Sequence, residues 1–128
     1  MDLSAYVGLP YQDRGCWELL RRVYREQLGI DVPDYAEAYG RLEARQRAQL
    51  AALIAAERRP WLAVQEGQER AGDAVLMRIT GHPSHIGVVA EPGRFLHVFQ
   101  GATACIESYR SPRWRPRLEG FYRHRAAP

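Results

Sequence analysis

The chain has 128 residues, 46% apolar and 26% charged, with a net charge of +3 and an isoelectric point near 9.1. That length suits one domain, residues 1–128, with a real core and no room for a second. Its longest apolar run, Leu50 to Ala56, is too short to cross a membrane, and no basic-then-apolar leader opens the sequence. A chain made in the cytoplasm without a signal peptide and without membrane insertion is therefore expected. All 18 basic residues are arginine, and lysine and asparagine are absent. A GC-rich genome explains this more simply than a nucleic-acid surface. The one basic stretch with aromatics in it, Tyr109 to Arg117, holds two prolines and reads as a loop, so no nucleic-acid partner is expected. Two cysteines, Cys16 and Cys105, do not make a disulfide framework.

Apolar residues at 16, 17, 20, 23, 24 and 28 predict an amphipathic helix from Gly15 to about Leu28, stopped by Gly29. Pro33 favours an extended link after it. A second helix is expected over residues 39–58, rich in Ala, Leu, Arg, Gln and Glu and ended by Pro60. Five short segments follow, rich in β-branched and aromatic residues: 73–79, 84–90, 94–100, 104–109 and 118–123. Turn signals separate them. Helices first and an antiparallel meander afterwards define an α+β domain, N-terminal helices on a sheet of about five strands.

Cys16 stands in the first turn of the first helix, where free N–H groups and the positive end of the dipole favour a thiolate. It also lies on the apolar stripe, and a buried core cysteine is the plain alternative. With Glu91-Pro92-Gly93 as a hairpin loop, cross-strand partners sum to 184. His85 and His97 then share one face as diagonal neighbours, roughly 7–8 Å apart at the backbone. Two imidazoles so placed can act as base and orienter for a cysteine nucleophile. A shift of one residue would put them on opposite faces. Gly87, opposite His97, marks either crowded packing or open space for a substrate backbone. Cys105 reads as a small buried strand residue and His124 as an exposed one. His82 could complete a zinc set with Cys16, His85 and His97, but its loop lacks paired ligand spacing, so neither a metal nor another cofactor is expected.

The segments "YVGLPYQDRGCWELL", "AGDAVLMRI", "SHIGVV", "RFLHVF" and "WRPRLEGFYRH" together resemble the NlpC/P60 superfamily of cell-wall cysteine peptidases, in particular its small phage-tail and prophage members. The resemblance implies a papain-like fold and a catalytic set of Cys16, His85 and His97. Tyr11 resembles the tyrosine upstream of the family's cysteine that helps polarise the substrate carbonyl. Two positions depart from the family pattern: Gly15 stands where an aspartate is usual, and Glu18 where a glycine is usual. The implied function is amide hydrolysis in peptidoglycan stem peptides. The implied partners are phage tail-tip or baseplate proteins, with the protein carried in the virion tail to the bacterial wall or periplasm. A tail component that keeps the fold with weak or lost activity is the alternative.

Overall fold

The computed structural model describes residues 1–11, 15–32 and 60–128, apart from the His82 side chain. The expected helix at 39–58 lies outside these residues. The first helix, α1, runs Gly15–Val23, and its last expected turn, Tyr24–Leu28, widens into a π-helical one. Gly29 closes it in the left-handed region, at φ 67°, donating its N–H to the Tyr24 carbonyl. That conformation suits glycine because a Cβ would be strained there.

Six strands form a single antiparallel sheet: β1 (Trp61–Val64), β2 (Ala74–Ile79), β3 (His82–Glu91), β4 (Arg94–His97), β5 (Cys105–Ser108) and β6 (Leu118–His124). Their spatial order is β1-β6-β2-β3-β4-β5. The α+β class holds, with one strand more than expected and one α-helix among the described residues. The extra strand is β1, an edge strand paired only with β6. It is four residues long with both central residues exposed, so it carries no alternation of burial. Strand β4 is shorter than expected because the Ala102 N–H turns back to the Phe99 carbonyl.

Side chains alternate between the two faces. Ala74, Leu76, Ile86, Val88, Leu96 and Val98 join Leu19, Leu20, Val23 and Tyr24 of the helical segment in one buried cluster. Val75, Met77, Val89, Phe95 and Phe121 point the other way and pack with Tyr109 and Trp114. Leu20 and Val23 are fully buried, worth about 1.5–3 kcal/mol each in area removed from water. The Tyr24 hydroxyl donates to the Gly72 carbonyl at 2.5 Å, tying the helix to the start of β2. Beside it, Asp73 accepts two hydrogen bonds from the Arg123 guanidinium, at 2.8 and 2.7 Å, which ties β2 to β6.

The β3–β4 hairpin turns on two residues rather than three. Glu91 pairs with Arg94, and a bulge at Ala90 absorbs the difference, so Val89–Phe95 and Val88–Leu96 keep the expected sum of 184.

Candidate active site

The hairpin brings the two histidines together. His85 Nε2 and His97 Nδ1 lie 2.9 Å apart, with the rings edge to face at 5.1 Å between centroids. Both side chains are buried. Phe99 stacks on His85 at 4.3 Å, and Phe95 stacks on His97 at 4.2 Å. Trp114, fully buried, stacks over His85 at 5.6 Å and stands edge-on to His97 at 5.0 Å. Arg113 and Arg117 lie over the outer part of that indole. The basic stretch around Trp114 is thus a lid whose aromatics, Tyr109 included, point inward and offer no exposed ring to a base.

Gly87 is crowded, not open. A Cβ there would come within 2.6 Å of the Leu96 carbonyl oxygen and 3.2 Å of the His97 Cβ. Glycine at this position is what lets the second imidazole pass so close.

Cys16 belongs to the opposite, helix-bearing side of the sheet, packed against the cluster of Leu20 and Ile86. The Ile86 N–H faces its sulfur, one peptide unit from His85. Among the described residues no hydrogen bond joins Cys16 to His85. Burial pushes the Cys16 thiol up from its ordinary value, and the N–H groups of Ile86, Trp17 and Cys16 itself pull back only partly. The helix start therefore does not by itself produce a thiolate, because removal from water opposes the charge more strongly. His85 is lowered to about 3 by burial first, then by the charges of His97 and Arg113. The resting pair is a neutral thiol and a neutral imidazole.

Tyr11 is held against the helix start. Its N–H donates to the Ala102 carbonyl at 3.1 Å, and its ring fills the space over Gly15, where a Cβ would meet Cε2 at 2.1 Å. A side chain at position 15 and the tyrosine ring exclude one another. Glu18 pairs with Arg21 at 2.9 Å, so much of its charge is balanced within the helix.

Two residues on β5 join the site that the sequence reading left out. Glu107 Oε2 lies 2.5 Å from His97 Nε2 and also accepts from Trp114 Nε1 at 3.3 Å. Cys105, half-buried rather than enclosed, has its sulfur 3.7 Å from His97 Nε2 and 3.8 Å from Glu107 Oε2. Partial burial works the other way, but hydrogen bonds and charge from His97 hold Glu107 below the ordinary carboxylate range. His97, Cys105 and Glu107 have donor atoms within 4.8 Å of one another, of types a metal ion could take. Each of those atoms is already engaged with the other two. His124 is half-buried, edge-on to Trp61 at 5.0 Å, and takes no part in the site. Glu107 stands two residues from Cys105, on the strand face that meets His97.

No curated protein matches the chain in sequence. Among solved structures it is similar to an NLP/P60-family protein from Staphylococcus aureus described as similar to a lipoprotein. That likeness has 22% identity, a TM-score of 0.61, and covers 94% of this chain and 38% of the other. It is also similar to an NlpC/P60 family protein from Bacillus cereus, with 18% identity and a TM-score of 0.65 over 93% and 36% of the two chains. A third likeness is the NlpC/p60 domain of the peptidoglycan hydrolase SagA, with 21% identity and a TM-score of 0.54 over 92% and 88%. The chain spans little more than a third of the first two proteins, and these likenesses are of fold. The sequence profile described as the NlpC/P60 family matches residues 5–123. Because that match runs from the N-terminal turn through the cysteine helix and both histidine strands into the last strand, the chain belongs to the NlpC/P60 family.

Proposed function

We propose that the protein is a peptidoglycan-degrading cysteine endopeptidase that hydrolyses amide bonds in stem peptides. The observation that carries this reading is the 2.9 Å contact between His85 Nε2 and His97 Nδ1, with the N–H of the next residue, Ile86, facing the sulfur of a cysteine in the first turn of a helix. Family membership supports the cell-wall hydrolase class.

In this reading Cys16 is the nucleophile and His85 the base. Because the pair rests uncharged, the thiol proton passes to His85 as sulfur attacks the scissile carbonyl carbon. The C–N bond then breaks, the proton goes from His85 to the leaving amine, and water hydrolyses the thioester. His97 accepts the hydrogen bond from the far nitrogen of His85 and orients that ring. The Cys16 N–H, at the helix start, is an oxyanion donor, and the Tyr11 hydroxyl is the second. We also assign the protein to a phage or prophage tail, with tail-tip or baseplate subunits as partners. The likeness of its cysteine and histidine motifs to the small phage-tail branch supports this, and co-purification with assembled tails tests it.

Digestion of purified sacculi by wild type and Cys16→Ala tests the reaction. Wild type should release muropeptides cut at an amide bond, and the variant should release none while keeping its fold. Equal release by both would sink the proposal. The raised Cys16 thiol favours one competing reading, a tail component with little activity. Cys16 then labels with iodoacetamide at the rate of an ordinary buried thiol, and sacculi stay intact.

A further inference from the structure

Glu107 touches the imidazole pair, yet the reaction above gives it nothing to do. We propose that Glu107 is a positioning residue for that reaction: its carboxylate sets the tautomers of both histidines and leaves His85 Nδ1 free to act as the base. This rests on the cysteine-peptidase reading.

An ionised carboxylate only accepts, so its 2.5 Å contact requires the hydrogen on His97 Nε2. A neutral imidazole has one N–H, so His97 Nδ1 presents a lone pair. Across the 2.9 Å contact His85 must then donate from Nε2, and its own lone pair lies on Nδ1. Without an acceptor behind His97 the pair could reverse. His97 Nδ1–H would donate to His85 Nε2, and His85 would hold its hydrogen on Nδ1, where it cannot receive the thiol proton.

The same carboxylate acts again when His85 becomes cationic. The proton travels from Cys16 Sγ to His85 Nδ1 and no further. Glu107 gains no bond, and its charge offsets the new positive charge through His97. Among the described residues, the other charged or titratable groups facing the pair are Cys105, from β5 beside Glu107, and Arg113, from the connection to β6. Arg113 lies 3.7 Å from Glu107 and opposes a positive charge on either ring. Phe95, Phe99 and Trp114 enclose the rings, so a charge on them is little screened, while the half-buried carboxylate reaches His85 through His97.

The test uses the full chain and begins with wild type. Nitrogen-15 spectra of the imidazoles should show protonated Nε2 and bare Nδ1 on both His85 and His97. A protonated Nδ1 on either ring overturns the proposal. This readout needs no activity, so failure to cleave sacculi would strike the peptidase reading and leave the proposal to be judged by the spectrum. Glu107→Gln removes the charge and introduces a donor that permits the reversed tautomer. It should lower kcat on the order of 100-fold with KM within about twofold. The acid limb of kcat/KM should move to lower pH, because the carboxylate raises the proton affinity of His97. Glu107→Asp should recover part of the rate. Wild-type kcat and an unmoved acid limb in Glu107→Gln would overturn the proposal. Should that variant not fold, the wild-type spectrum decides.

Discussion

The two faces of the sheet are built from different chemistry. The face under α1 is mostly aliphatic: Leu20, Val23, Ile86, Val88 and Leu96 hold the helix by area, with the Tyr24 hydroxyl on the Gly72 carbonyl as a polar tie. The opposite face is aromatic and polar, with Phe95, Phe99 and Trp114 walling two imidazoles and a carboxylate. The proposed nucleophile comes from the first face and the proposed base from the second. They approach along β3, where Ile86 and His85 are neighbours in sequence that point opposite ways. Stability and chemistry are therefore separable here. Substitutions under the helix should cost folding energy, while those beneath the lid should disturb protonation.

The strongest challenge to that division is Trp114→Ala. The indole is fully buried, touches both imidazoles and donates to Glu107. Its removal should cost about 3–5 kcal/mol, read from urea unfolding, and should also abolish the ordered imidazole signals. A stable variant with unchanged histidine spectra would show that the lid does not hold the site. Leu20→Ala should cost about 2–5 kcal/mol while leaving the His85–His97 contact unchanged in the folded fraction. Altered histidine spectra in that variant would break the comparison.

Acid titration gives the smallest effect per step. The folded value of His85 lies at about 3, against an ordinary 6.5. Above pH 6.5 the ring is neutral in both folded and unfolded chains and adds no pH dependence. Below 6.5 the unfolded chain takes up the proton first, so stability falls as pH drops toward 3, by about 1.4 kcal/mol per pH unit for one imidazole. His97 is shifted in the same direction by burial. A His85→Phe variant should lose the part of the slope that His85 supplies and keep that of His97, as measured by melting temperature between pH 7 and 4. An equal slope in the variant would place the acid sensitivity elsewhere.

Much of this is legible in the sequence. Helix α1 and the β3–β4 hairpin show their periods clearly because each has one buried and one exposed or differently packed side. The shared face of His85 and His97 followed from that hairpin, and survived a wrong loop length because the bulge at Ala90 restored the register. Strand β1 was illegible, since four residues on a sheet edge with Leu62 and Ala63 exposed carry no repeating pattern. Glu107 was missed for a different reason. The turn between β4 and β5 has no sequence signal that fixes which residues pair, and only the observed pairing of His97 with Cys105 brings Glu107 alongside. The thiol's raised proton affinity was also hidden, because the helix start is visible in sequence and the depth of burial is not.

The interlock of Tyr11 with Gly15 has an evolutionary consequence. Since one ring occupies the volume that any larger residue at 15 would need, the two sites should behave as an epistatic pair. Installing the family's customary aspartate alone should be deleterious in this chain, and a change that moves or shrinks residue 11 should rescue it; relatives that carry both a tyrosine and an aspartate must seat that ring elsewhere.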